Sequence, residues 1–405
     1  MRRLYTRVST LLRPAPIRSG YADAADLLRV LSVGMVGWYH IWQQSWLNPN
    51  LRLGSHQVRL YPLVACGYMF VDLLLCLSGF LLMLGWLSGR NRNLRSFYTA
   101  RAARILPSYL FCIGVILFGF ALPGNLYGGS SKHMWTDILA HLTFTHNLFP
   151  QSSTYTHLNG ALWTLAVEVQ FYLIFPFLAR QFEKRPFITY AAMAALGLIV
   201  RAGMALGMED TTFYVNRLSA MLDVYANGML AAWICFRMED APQRARQAWI
   251  HTLLAVLSLM LIRRILFAQF PRQGGEAVRL GQMLWRFPLS ALGCVFLVCG
   301  SRSIRLLRAL ASNRLTRFLS GISLNFYIWH QFLAVKLKEW RIPPSVSDTP
   351  NFDYEQPWQN RYTFLCFAAA LAAAALVTYL VERPCARWIK RRAGGKKKLE
   401  SKRPA

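Results

Sequence analysis

Charged residues make up only 16% of this 405-residue chain, and acids are scarcer still, with 18 Asp and Glu against 46 Lys and Arg. So little charge beside 55% hydrophobic residues excludes an ordinary soluble globule. No C-x-x-C spacing occurs. The eight cysteines lie in apolar segments or the basic tail, none in a loop expected outside, which argues against a disulfide framework and a cysteine metal site. A G-x-S-x-G elbow, a Walker loop and a dinucleotide fingerprint are all missing. No internal repeat is visible, which weighs against a repeat-built transporter. The basic N-terminus (Arg2, Arg3, Arg7, Arg13, Arg18) imitates a signal peptide. The apolar run after it is too long, contains Arg29 and His40, and lacks a small-residue cleavage site, so it reads as a retained span.

What the chain does have is long apolar segments. Ten can cross a bilayer: 26–46, 62–88, 103–122, 161–179, 186–206, 216–236, 248–270, 281–300, 319–338 and 361–382. A shorter piece, 137–149, is too brief to cross and is expected at the outer face. With the N-terminus inside, the inner segments hold 31 Lys and Arg and the outer ones 8, with one sign of bias at every turn. The fold class expected is therefore an all-α integral membrane protein. It has about ten transmembrane helices, one short outer-face helix and both termini cytoplasmic. The domain reading is a basic N-terminal segment (1–25), a transmembrane domain (26–387) and a basic tail (388–405), whose end GGKKKLESKRPA (394–405) is expected to be disordered near anionic lipid. The formal charge of +28 follows the helix ends, so nucleic acid is not the expected partner and the lipid bilayer is.

Ionisable residues inside such segments are costly, roughly 3 kcal/mol or more each, and so mark candidate function. Arg29 and His40 are eleven residues apart on one helix. That spacing returns them to one face about 16 Å apart at ~1.5 Å per residue. Glu168 in LWTLAVEVQFYLIFP is expected at the depth of His40, where a carboxylate could orient the imidazole and stabilise its charged form. Asp72 and His330 fall near the midplane, as cavity lining or as interhelical hydrogen bonders. Arg101 and Arg104 are three apart and share a face at the inner edge, where Arg29 also emerges. Three guanidiniums there suit a polyanion such as a nucleotide phosphate. RxxR alone is equally an ordinary topology signal. Arg201 is placed to snorkel, Arg286 sits near an outer end, and the adjacent Arg263 and Arg264 cannot share a face. His133, His141, His146 and His157 crowd one outer segment without a familiar zinc spacing and read as surface or interface histidines, so no metal is expected. His133 and Asp137 miss the H-x4-D arrangement of soluble-face glycerolipid acyltransferases.

Taken together, these motifs resemble the acyltransferase type 3 family over roughly Asp26 to Arg387. The elements are Arg29 and His40, FVDLLLCLSGFLL with Asp72, Ser78 and Gly79, and Arg101 and Arg104 followed by Pro107. HLTFTHNLFP, LWTLAVEVQFYLIFP with Trp163 and Glu168, SLNFYIWH with His330, and VERP at Val381–Pro384 follow. Many members carry a second Glu where this chain has Val169.

The resemblance implies an acyl-CoA-dependent acyltransferase that moves an acyl group, commonly acetyl, from cytoplasmic acyl-CoA to a hydroxyl. The acceptor would be a glycan, glycolipid or other hydroxylated molecule, the setting a bacterial inner membrane, the oligomeric state undetermined. It implies an essential role for His40 and a link between the arginine motifs and the donor acetyl-CoA. His40 is the best base for a hydroxyl attacking a thioester, with an acyl-histidine relay as the other route. The 16 Å separation compares with the reach of a pantetheine arm. Ser78, Trp163 and Tyr172 join Asp72 and His330 as candidate cavity-lining residues, with Tyr327 and Trp329 packing beside them. Tyr155, Phe352, Tyr354 and Trp358 are candidates for stacking on sugar faces. No fused outer domain is seen, which points to single-component transfer. A proton-coupled transporter or flippase is the competing reading.

Overall fold

The computed structural model describes residues 2–14, 22–53, 56–272 and 274–400. Helices α1 (Arg2–Leu12) and α2 (Asp23–Ser45) precede an antiparallel hairpin of β1 (Asn50–Leu53) and β2 (His56–Arg59). Next come α3 (Tyr61–Ala65), α4 (Phe70–Leu87), α5 (Leu94–Ile116), α6 (Ser131–Leu142) and α7 (Pro150–Ser153). They are followed by α8 (Trp163–Lys184), α9 (Pro186–Gly207), α10 (Leu222–Arg237), α11 (Ala245–Gln269) and α12 (Gly275–Ser301). The last four are α13 (Arg305–Ala311), α14 (Arg314–Glu339), α15 (Gln356–Val377) and α16 (Arg383–Glu400).

Each of the ten expected spans coincides with a long helix. Among the described residues, eight helices are both long and apolar enough to cross a membrane. The other two, α2 and α14, have 23 and 26 residues and the length to cross. They fall short on apolarity because they carry Arg29 with His40, and His330 with several flanking charges. Three expectations need correction. The hairpin at 50–59 interrupts the all-α reading. The short helix expected at the outer face begins at Ser131, where Ser130 accepts a hydrogen bond from the His133 amide as N-cap. The tail, expected to be disordered, is helical through Glu400.

The chain packs as two compact units, and it passes between them inside α2, α8 and α14 and in the connections after α2 and α4. The first holds 1–43, 47–89 and 177–321. Its centre is α4 against α10, where FVDLLLCLSGFLLMLGWL is apolar on every face and buried on most. Two glycines bring the backbones together: a Cβ at Gly228 would lie 1.9 Å from the Cys76 carbonyl, and one at Gly79 2.6 Å from that of Tyr225. Two buried ion pairs cross the same unit. Arg286 Nε donates to Asp72 Oδ1 at 2.9 Å, and Arg201 Nη2 to Asp223 Oδ2 at 2.6 Å. Arg201 was expected to snorkel, but it is 3% exposed, because Asp223 and the Ala220 carbonyl inside the bundle take its guanidinium.

The second unit holds 44–46, 90–176 and 322–405. Here Asn93 caps α5 by accepting from the Ser96 amide, and Pro107 within α5 removes one ladder donor without ending the helix. The segment between α5 and α8 is organised by Asp137. Its carboxylate accepts from the Tyr127 hydroxyl, the Thr156 hydroxyl and the His157 amide at 3.0–3.1 Å, and meets His141 Nδ1 at 3.1 Å. Burial pushes the Asp137 carboxyl up, but His141 and these hydrogen bonds outweigh it and hold it below the usual carboxylate range. His141 and His146, expected as surface or interface histidines, are buried within the unit and stack 4.1 Å apart. Burial, with the His141 charge second, pushes His146 down to about 3.

Candidate active site

In the first unit, α2 is pinned at its start. Asp23 pairs with Arg308 of α13 at 2.6 Å, and Asp26 accepts from the Ser312 hydroxyl at 3.0 Å. Both acids lie in the first helical turn, where they also oppose the helix dipole. Arg29 follows less than one turn later, half-buried, with Nη1 3.4 Å from the Ser320 hydroxyl. Eleven residues on, His40 is half-buried among aromatic rings. Tyr39 meets it edge-on at 5.2 Å, and Tyr39 is itself 5.2 Å from Tyr68. Trp42 lies 5.6 Å from Tyr61. Gly67 makes this approach feasible, since a Cβ there would meet the Met35 carbonyl at 2.4 Å. Asp72 of this unit is 1% exposed and committed to Arg286, while Ser78 is half-buried on α4.

The second unit brings together residues far apart in sequence. The Arg101 guanidinium lies over the Phe97 ring at 5.4 Å and the Tyr172 ring at 5.7 Å. Tyr172 in turn donates its hydroxyl to Glu168, one helical turn away on α8. Arg101, Tyr172 and Glu168 therefore form one chain of contacts from the RxxR motif to the carboxylate. The Arg101 Nε is buried without a hydrogen-bond partner. Arg104 Nη1 donates to Glu382 Oε1 at 2.7 Å. Glu382 closes a π-helical turn, Thr378–Glu382, at the end of α15, and its other oxygen accepts from Asn325 at 2.8 Å. Such turns recur at functional sites because they re-aim side chains.

His330 is 1% exposed and donates Nδ1–H to the Tyr327 carbonyl at 2.7 Å, which leaves Nε2 as the acceptor. Trp163 is half-buried at the first turn of α8. Trp358, expected to stack on sugar, is instead 2% exposed, donates to the Pro343 carbonyl at 3.1 Å and stacks on Tyr362. Tyr155, Phe352 and Tyr354 are exposed.

The structure thus joins Arg101 to Glu168 through Tyr172. His40 and Arg29 belong to the first unit, and their partnership with Glu168, Arg101 and Arg104 stays an expectation of the sequence. Asp223 escaped the reading of the sequence, and Glu382 and Asn325 stood in it only inside VERP and SLNFYIWH, without a role. The signal was available for the acids, because any carboxylate inside an apolar segment is exceptional in a chain with 18 acids. Among the described residues, no group of three or more His, Cys, Asp or Glu could hold a metal ion.

The family model described as an acyltransferase domain matches residues 23–380. The chain belongs to that family, and it is a multi-pass membrane protein. It is 23% identical over 387 residues to the peptidoglycan O-acetyltransferase OatA of Listeria monocytogenes, covering 90% of this chain and 56% of that protein. Nodulation protein 10 of Rhizobium leguminosarum bv. viciae is 28% identical over 59% of this chain and 67% of its own length. Acyltransferase MdmB of Streptomyces mycarofaciens is 32% identical over 36% of each. The chain spans little more than half the length of the Listeria protein. No solved structure matches.

Proposed function

We propose that the chain is a membrane O-acyltransferase that moves an acyl group, acetyl before others, from cytoplasmic acyl-CoA to a hydroxyl. The acceptor is a saccharide or glycolipid at or beyond the outer face of a bacterial inner membrane. The observation that carries this reading is the cationic arrangement in the second unit. Arg101 is held against two rings with its Nε unpartnered, and Arg104 is fixed by Glu382 three residues along the same face. Pre-set guanidiniums are suited to the phosphates of a nucleotide donor, and Arg29 is proposed to join them.

His40 is the proposed base. Its imidazole takes the proton of the acceptor hydroxyl as that oxygen attacks the thioester carbonyl. The C–O bond forms, the C–S bond breaks, and the proton passes to the departing CoA thiolate. An acyl-histidine intermediate reaches the same products in two steps. Glu168, hydrogen-bonded by Tyr172, is proposed as the carboxylate that stabilises positive charge during transfer. The ring of Tyr39 beside His40, with those of Trp42 and Tyr61 packed in sequence behind it, suits the face of a sugar. The relatives named as peptidoglycan O-acetyltransferases agree with a glycan acceptor.

Against a proton-relay transporter stands the pairing of Asp72 with Arg286 and of Asp223 with Arg201. An acid locked to an always-charged guanidinium is poorly suited to cycling protons. The test is binding of acetyl-CoA to purified protein, by calorimetry or thermal shift. Binding weakened by Arg101→Ala or Arg104→Ala supports the proposal, and no response to any acyl-CoA contradicts it.

A further inference from the structure

The adjacent arginines of α11, Arg263 and Arg264, play no part in the site above, and they diverge. Arg263 turns onto the Phe267 ring at 4.4 Å. Arg264 turns instead into a groove of about 570 Å³ between α11 and α12, within the ~300–1,000 Å³ of ligand pockets. From α11 the lining is Leu261, Arg264, Ile265 and Ala268, which is one helical face. From α12 it includes Trp285, Pro288, Leu292 and Val295, again one face. The groove opens outward, because α11 has only 28% of its apolar window buried inside the protein.

The polar and apolar parts of this groove are separated along its length. A Cβ on Gly281 would meet Gln269 Oε1 at 2.1 Å, so those two residues lie side by side. Arg264 is five residues from Gln269 on α11, and Trp285 is four from Gly281 on the neighbouring helix. At ~1.5 Å per residue both lie about 6–8 Å from that point, at one level. The Trp285 ring lines the groove there. The guanidinium and this ring thus share one end of the groove, and beyond them Pro288, Leu292 and Val295 give a purely apolar wall about 10 Å long. A cationic head end with an apolar trough is complementary to an anionic lipid, not to a peptide or a soluble anion.

We infer that this groove is a binding site for one anionic diacyl phospholipid. Its phosphodiester pairs with Arg264, its glycerol backbone lies against the Trp285 ring, and one acyl chain lies along Leu292 and Val295. The charge bias of the loops expects this end of α11 at the outer face, so the lipid would come from the outer leaflet.

The test is native mass spectrometry of the full chain in detergent, titrated with phosphatidylglycerol or with phosphatidylcholine. Retention of one phosphatidylglycerol with at least tenfold preference over phosphatidylcholine is expected. Arg264→Ala should abolish that preference and Arg263→Ala should preserve it. Leu292→Trp, which fills the trough and keeps the charge, should lower retention of phosphatidylglycerol. Equal retention of the two lipids overturns the inference, as do equal effects of the Arg263 and Arg264 variants or undiminished retention in Leu292→Trp.

Discussion

Arg104 and Glu382 stand 278 residues apart in the chain and 2.7 Å apart in the structure. The pair gives the VERP motif a physical role, holding the second arginine of RxxR in one orientation. Arg104 is 38% exposed, so the pair is screened and contributes no more than about 1 kcal/mol. Glu382→Gln is therefore expected to weaken acetyl-CoA binding by no more than about fivefold, and Arg104→Ala by more. A titration in which the Glu382 variant loses more than the Arg104 variant would show that the glutamate acts by another route.

Tyr172 serves two neighbours by two different parts of its side chain. Its ring carries Arg101, and its hydroxyl donates to Glu168. Tyr172→Phe should leave donor affinity within about twofold and lower the transfer rate. Tyr172→Leu should lower both, since a cation–π contact contributes about 0.5–2 kcal/mol. Kinetics that separate donor KM from kcat check this. Identical behaviour of the two variants would contradict it.

The buried pair of Asp72 and Arg286 predicts a stability signature. Removing one partner strands a charge inside the bundle, at a cost of about 3–5 kcal/mol, whereas replacing both with apolar residues can be nearly neutral. Asp72→Leu and Arg286→Met are each expected to lower thermal stability in detergent strongly, and the double variant to recover most of it. Additive losses would refute the pairing. Gly228→Ala should also destabilise, because its Cβ meets the Cys76 backbone.

The segment 131–158 should loosen as pH falls. His146 is buried neutral, with its folded pKa lowered from 6.5 to about 3, so between those values the unfolded segment binds the extra proton. Stability is then complete above about 6.5 and declines by roughly 1.4 kcal/mol per pH unit below it. The lowered Asp137 carboxyl adds a loss in the same direction at lower pH, as it protonates. Hydrogen-exchange protection factors of residues 131–158, corrected for the intrinsic pH dependence of exchange, should fall between pH 7 and pH 4.5, with a flatter profile in His146→Phe. A pH-independent pattern would contradict this.

The sequence was informative wherever a one-dimensional property decides the structure. Apolar length and the bias of Lys and Arg located the ten long helices, because the bilayer imposes both. The face shared by Arg29 and His40, and that shared by Arg101 and Arg104, followed from helical period alone. The hairpin at 50–59 was hidden because NLRL and HQVR are short and half polar. The partners of Asp72, Arg201 and Arg104 were hidden for another reason. Each lies on a different helix, and helical spacing carries no information about which faces meet. Arg201 read as a snorkelling residue until Asp223 supplied a partner. Tyr172 read as packing, but what distinguishes it is the arginine above its ring and the carboxylate beside its hydroxyl.

The central claim is that His40 performs chemistry on an acyl-CoA. The most direct measurement is transfer of radiolabelled acetyl from acetyl-CoA to a glycan acceptor by the purified protein in liposomes, comparing wild type with His40→Ala. The expected result is a loss of at least about 10²-fold in transfer, with thermal stability and acetyl-CoA binding retained. Full transfer by the His40→Ala protein would contradict the account.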